Sequence, residues 1–255
     1  MLQPQSSVQQ NLESSWVETV MRVSAMFPKG GLAFSVFVVA VQLWSPVLCT
    51  SINLTLYYEG LCPDCHDFFL DELWPTYNKL EERLHVDLVP FGKAHMKVAN
   101  ATVTFQCQHG AEECYVNEVQ TCAVKYVHPT RKLLDFVACM FRQDDPTKAG
   151  QPCAEKVGTY WPVLDKCSRG PEGEKLFRKM GERTLALMPP MKWVPYVQIN
   201  GAHDDIMESL VENDLFGYVC KLLEPGAPRI CKRGAFMDAL DFISQSFRSA
   251  HHRVL

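Results

Sequence analysis

Leu61-Cys62-Pro63-Asp64-Cys65-His66 stands at the change from one periodicity to another. Before it runs Ile52-Asn53-Leu54-Thr55-Leu56-Tyr57-Tyr58, an alternating apolar stretch with the period of a strand, followed by Glu59-Gly60. After it, Asp67-Phe68-Phe69-Leu70-Asp71-Glu72-Leu73-Trp74 opens a helical pattern. A C-x-x-C at a strand-to-helix junction is the arrangement a dithiol–disulfide redox site needs. Spacing i, i+3 sets both sulfurs on one face of the first helical turn. Unpaired amides at a helix N-terminus favour a thiolate on the first cysteine, and the thiolate is the nucleophile. Pro63 suits the first helical position, where no amide hydrogen is needed.

Outward from this stretch, the helix is predicted to run to about Leu84 with a kink at Pro75. His85–Gly92 reads as a second strand, so strand, helix and strand form a βαβ unit with parallel pairing. From about Thr104 to Leu187 the spacing is helical throughout, in Glu112–Val127, Arg131–Arg142, Ala154–Asp165 and Glu172–Leu187. Strand character returns at Trp193–Gly201. Asn200-Gly201 there signals a hairpin, with a short edge strand expected after it. Glu208–Leu223 is a last helix pattern, ended by Pro225, Gly226 and Pro228. The tail 232–255 carries Phe236, Leu240, Ile243 and Phe247 at helical steps. This order is that of an α/β, thioredoxin-like fold with a helical insertion about 104–187, the variation seen in DsbA-like oxidoreductases. The expected domain spans 50–231, and function has to come from the site.

The 255 residues are 47% hydrophobic and 21% charged, an ordinary globular balance. A net charge of −4 leaves no footprint for nucleic acid or an anionic membrane. Eleven cysteines are many for a cytosolic chain and point to an oxidising compartment. Gly31–Leu48 is uncharged, follows Lys29 and resembles a signal-peptide core, with cleavage after Cys49 and residues 1–49 as leader. A start at Met26 would give a more usual leader. The apolar run is short for a span and is interrupted by Gln42 and Pro46, so no stable membrane insertion is expected. Two sequons, at Asn53 and Asn100, agree with secretion, and Asn53 would have to face solvent from its strand.

Cys62 is the candidate nucleophile and Cys65 the less exposed resolving thiol of an exchange through a mixed disulfide. The competing readings are a structural disulfide and half of a zinc site, but no second C-x-x-C accompanies this one. No cofactor and no metal are expected. Pro195 just precedes the hairpin strand, where thioredoxin-like proteins place a cis-proline opposite the dithiol. Its neighbourhood would offer backbone groups to a substrate strand. Asp64 and Asp67 oppose a thiolate on Cys62. His66, if cationic, would favour it, and is otherwise a solvated first-turn residue.

The helical block begins Cys107-Gln108-His109-Gly110-Ala111-Glu112-Glu113-Cys114-Tyr115-Val116-Asn117-Glu118-Val119-Gln120-Thr121-Cys122. Here the chain resembles the gamma-interferon-inducible lysosomal thiol reductases (GILT), whose signature is C-Q-H-G-x-x-E-C-x-x-N-x-x-x-x-C. Cys107, Gln108, His109, Gly110, Glu113, Cys114, Asn117 and Cys122 all match it, as does the upstream C-x-x-C. The likeness covers roughly Ile52 to Cys231. It implies a thioredoxin-like fold with a helical insertion and reduction of protein disulfides in lysosomes, with Cys62 and Cys65 as the active pair. Pro63-Asp64 stands where mammalian members typically carry Gly-Ala, a departure that bears on redox potential and not on the dithiol role.

Apart from the family, Cys107, Cys114 and Cys122 read equally as disulfide partners, metal ligands or core residues. His109 reads as a satisfied loop histidine rather than a ligand, and Gly110 as a turn before the helix. With Cys49 and the C-x-x-C set aside, eight cysteines permit about 105 pairings, of which Cys220–Cys231 is the easiest to imagine. The expected function is a lysosomal or secreted thiol reductase, with disulfide-bonded protein substrates and a small thiol or other reductant as partners. The alternatives are a secretory-pathway oxidase or isomerase and a non-enzymatic, disulfide-stapled binding protein. The ending Arg253-Val254-Leu255 is not a Lys-Asp-Glu-Leu-type signal, which weighs against endoplasmic retention.

Overall fold

The structure is a computed structural model and describes residues 51–100 and 102–232. The expected leader and the tail beyond Lys232 lie outside the described residues. Strand β1 (Ile52–Tyr58) is central in a three-stranded sheet of order β2-β1-β5. It pairs in parallel with β2 (Leu84–Pro90), Ile52 opposite Leu84, and antiparallel with β5 (Tyr196–Ile199), Leu54 opposite Ile199. The period-two pattern sorts side chains between faces: Ile52, Leu54, Leu56 and Tyr58 enter the main core, and Tyr57 enters a second cluster with Val89, Phe91, Phe177 and Tyr196.

The helical run between β1 and β2 is α1 (Pro63–Asp67), a π-helical segment Phe68–Leu73, and α2 (Trp74–Leu80). A regular helix would ask Pro75 for an amide it lacks and press its ring on the carbonyl of Asp71. The wider turn, in which Trp74 N–H bonds the carbonyl of Phe69, accommodates the proline without ending the run. The helix stops at Leu80 and β2 begins at Leu84, short of the predicted boundaries.

The helical block starts later than about Thr104. Strands β3 (His95–Ala99) and β4 (Thr102–Gln106) form a separate antiparallel pair first. Then come α3 (Ala111–Tyr126), α4 (Thr130–Phe141), α5 (Gly150–Lys156), α6 (Trp161–Ser168) and α7 (Pro171–Leu185). The single helix expected over Ala154–Asp165 is two, because Gly158 at φ +68° terminates α5 and Pro162 suits the first turn of α6.

Asn200 (φ +51°) and Gly201 (φ +78°) make the expected tight turn, with reciprocal Ile199–Ala202 backbone bonds of 2.9 and 3.0 Å. The returning edge strand is absent among the described residues beyond that one bridge. Asp204 takes the Met207 amide at 2.8 Å and starts α8 (Asp205–Leu222) instead, so its capping wins over continued pairing. Asp214, at φ −159°, interrupts α8.

Four disulfides staple the domain: Cys107–Cys114, Cys122–Cys167, Cys139–Cys153 and Cys220–Cys231. Among the described residues, no helix is long and apolar enough to cross a membrane. Asn53 and Asn100 are both exposed. The βαβ unit, the antiparallel β5 and the interposed helices α3–α7 make an α/β, thioredoxin-like fold with a helical insertion.

Candidate active site

Cys62 is the N-cap of α1, with extended backbone (φ −76°, ψ 119°), and Pro63 is the first helical residue. The Cys62 sulfur accepts the Cys65 amide at 3.3 Å, one of the orphan donors of the helix start. Cys65 lies one turn on and is fully buried, while Cys62 is 5% exposed and lines a cleft of about 220 Å³. Both are free thiols, the only ones among the described residues. Val194–Pro195 is cis, and Val194 and Trp193 line the same cleft as Cys62 and Pro63. The pairing of Tyr57 with Tyr196 puts the start of β5, just after Pro195, at the same end of the sheet as the start of α1 with Cys62 and Cys65.

The Cys62 thiol is held below its ordinary value, first because the Cys65 thiol donates to its anion and also because the Cys65 amide does. Burial opposes this, as do the carboxylates of Glu59 and Asp64. The Cys65 thiol is pushed far up, chiefly by burial and then by its bond to Cys62. One sulfur is prepared to be anionic and its neighbour to carry the proton.

His66 departs from both sequence readings. It is not a solvated first-turn residue, and its ring is held by Phe141 and Gly60 rather than by Cys62. Its ring stacks on Phe141 of α4 at 4.1 Å between centroids, and its Nε2 lies 2.9 Å from the carbonyl oxygen of Gly60. Burial lowers its pKa. His66 is a strut that ties the active-site turn to the helical block, and Phe141 also meets Phe69 and Tyr58 edge-on.

Sequence reasoning missed Glu59. This carboxylate ends the apolar run of β1, is wholly buried and lines the cleft beside Cys62. Its position three residues before the C-x-x-C was the available signal. The long motif of α3 is aimed at the same place. Asn117 Oδ1 accepts the Gly60 amide at 2.7 Å, and His109 Nδ1 lies 3.6 Å from Glu59 Oε2 and 2.5 Å from Glu113 Oε2. His109 is therefore the satisfied loop histidine, partnered by carboxylates. Gly110, at φ +88°, supplies the turn that sends the chain into α3.

Gly60 shows how closely α3 approaches. A Cβ there would sit 2.4 Å from Val116 Cγ1. Gly60→Ala is expected to cost about 1–3 kcal/mol by overpacking and to weaken the Asn117 bond. Urea denaturation checks the first, and the alkylation rate of Cys62 checks whether the turn has moved.

A dithiol at the start of the βαβ helix, with a cis-proline before the antiparallel strand at the same end of the sheet, defines a thioredoxin-like thiol–disulfide oxidoreductase. Within that class the chain belongs to the gamma-interferon-inducible lysosomal thiol reductase family, whose profile matches residues 53–157. It is similar to the gamma-interferon-inducible lysosomal thiol reductase of Carassius auratus, 38% identical over 188 residues that cover 72% of this chain and 73% of that one. It is also similar to GILT-like protein 1 of Drosophila melanogaster, 32% identical over 210 residues, 76% of this chain and 84% of the relative. Among solved structures, a thioredoxin-like oxidoreductase from Silicibacter pomeroyi DSS-3 matches 64% of this chain and 86% of its own at 10% identity and a TM-score of 0.44. That likeness is too loose to add to the assignment.

Proposed function

We propose that this protein reduces protein disulfide bonds by dithiol exchange and does so in an acidic, lysosomal compartment. The observation that carries the reading is the pairing of a thiol held low at a helix start with a buried neighbour held high. The Cys62 thiolate attacks one sulfur of a substrate disulfide, forming a mixed disulfide and expelling the other sulfur as a thiolate. Cys65, losing its proton, then attacks Cys62 Sγ and expels the second substrate sulfur. The substrate gains two electrons, and two protons end on its thiols. The enzyme is left with a Cys62–Cys65 disulfide, which a small thiol or another dithiol must reduce. Val194 lines the cleft with Cys62, and the backbone beside Pro195 is where a substrate strand would pair.

Acid sets a severe requirement. At a pH of about 4.5, a thiol of pKa about 8.5 is only about one part in ten thousand thiolate. Each unit by which the pKa falls gives about tenfold more thiolate and takes back about threefold in intrinsic nucleophilicity, so a lowered Cys62 is a net gain. The test is turnover of a disulfide-bonded protein such as insulin, with a small thiol as reductant, at acid and neutral pH. Catalysis above the free reductant, with the larger enhancement in acid, is the expected result. No enhancement at either pH would overturn the reading in favour of a non-enzymatic binding protein, and net oxidation of reduced substrate would overturn it in favour of the secretory-pathway oxidase.

A further inference from the structure

The family signature has a physical target. Glu59 follows the central strand, and the residues that meet it come from the turn after β2 and from the start of α3 with the loop before it, far along the chain. Its Oε1 accepts the Lys93 amide at 2.6 Å. Its Oε2 is buried without a hydrogen-bond partner and faces His109 Nδ1 at 3.6 Å. His109 in turn is gripped at two points by Glu113, through its ring nitrogen at 2.5 Å and its backbone amide at 3.2 Å. The Cys107–Cys114 disulfide closes the loop that carries His109. Opposite, Gly92 at φ +56° leaves room that a side chain would take, since a Cβ there would lie 2.2 Å from Glu59 Cγ. The chain has therefore built a fitted recess for a carboxyl group and turned it to the cleft that Cys62 lines.

We propose that Glu59, His109 and Glu113 form a proton-operated charge control on Cys62, in which a proton taken up by Glu59 removes the buried negative charge beside the attacking sulfur and so favours the thiolate as the surroundings turn acid. The inference rests on the reading of Cys62 as the nucleophile and adds a regulator to it. Glu59 and His109 act here as positioning residues, since they work through the sulfur and not on the substrate.

Every charged group around the recess bears on the sign. Burial raises Glu59, the Lys93 amide pulls it back, Glu113 raises it further, and His109 and the Lys93 cation lower it; the carboxyl is pushed up to about 7. His109 is raised, first by its bond to Glu113 and also by Glu59 and Cys62, and burial opposes this. From α1, Cys65 shares a hydrogen bond with Cys62, and Asp64 opposes the thiolate from the exposed side. Trp193 and Val194 complete the cleft without charge. Glu59, pushed up to about 7, is the carboxylate beside Cys62 that takes up a proton between neutral and acid. Above its titration it is an anion and raises Cys62. Below it, it is neutral and that opposition is gone.

Glu59→Gln keeps an oxygen for the Lys93 amide and carries no charge at any pH. Iodoacetamide alkylation of Cys62, followed by mass spectrometry on the mildly reduced full chain from pH 4 to 9, reads the effect. At pH about 8 the variant is expected to react roughly three- to tenfold faster than the parent, and below pH about 5.5 the two profiles converge. His109→Gln removes a cation that holds Glu59 ionised, so the convergence point moves to higher pH. The carboxyl carbon of Glu59, followed by NMR in the unmodified protein, is expected to titrate near neutrality and to perturb Cys62 as it does. This measurement stands if a variant fails to fold. Profiles that overlie at every pH, or a Glu59 that titrates in the ordinary carboxylate range, would overturn the proposal. A parent chain that still reduces insulin in that case keeps the reductase reading intact; a parent that reduces nothing removes the reading first.

Discussion

Cys65→Ser is expected to turn the protein into a trap for its substrates, and Cys62→Ser to bring turnover down to the rate of the free reductant. The asymmetry follows from the two environments. Cys62 caps a helix, accepts an amide at 3.3 Å and opens on the cleft, so its sulfur forms the first bond to substrate. A serine hydroxyl there has no comparable nucleophilicity, and nothing else among the described residues offers a free thiol except Cys65, which is completely buried. In Cys65→Ser the first step survives, because the serine hydroxyl can still donate to Cys62. The second step is lost, since no sulfur remains to attack the mixed disulfide. Non-reducing electrophoresis after acid quenching should show high-mass adducts in Cys65→Ser that collapse with dithiothreitol, and none in Cys62→Ser. Adducts appearing instead in Cys62→Ser would assign the attack to the buried sulfur and refute the order of steps.

What could be read from the chain beforehand was governed by local repetition. The alternation of Ile52 to Tyr58 fixed a strand, and the i, i+3 cysteines after it fixed the redox pair, because both signals lie within one element. The β3–β4 pair was not legible. His95-Met96-Lys97-Val98 and Thr102-Val103-Thr104-Phe105-Gln106 do alternate, but each run is only five residues or fewer and mostly exposed, with Met96 and Phe105 alone packed against the second core cluster, so the signal is weak beside the helical spacing that follows. The edge strand after Asn200-Gly201 failed for the opposite reason: a correct turn was followed by Asp204, whose capping bond begins a helix at once. Glu59 offered only its nearness to the C-x-x-C as a signal, because what makes it a site residue is closure between β1 and the chain at the start of α3. No spacing in the sequence records that a glutamate just after one strand will face a histidine from the loop before a helix far along the chain, itself held by a glutamate of that helix.

The same long-range closure sets the largest expected loss of stability. Cys122 and Cys167 are buried, join α3 to α6 and span 45 residues, against 14, 11 and 7 for the other three bridges. A cross-link restricts the unfolded chain more as its loop grows, and the chain-entropy relation gives about 4 kcal/mol for a loop of this length. The Cys107–Cys114 bridge is expected to contribute about 1.7 kcal/mol less by the same relation. Packing adds to the difference. Cys122 sits in the main core with Val119, Ala123 and Leu164, so replacing both cysteines with alanine also removes two buried sulfurs from a filled region. The Cys122→Ala/Cys167→Ala protein should therefore unfold at markedly lower denaturant than the parent, and the Cys107→Ala/Cys114→Ala protein at an intermediate concentration. The functional readouts should separate in the reverse sense. Loss of Cys107–Cys114 frees the loop that holds His109 against Glu59, so it is expected to alter the pH profile of Cys62 alkylation more than it alters stability. Urea midpoints and alkylation profiles measured on the same two variants test both orders. Equal midpoints would show that the unfolded chain retains enough structure around Cys122 and Cys167 to cancel the entropic term.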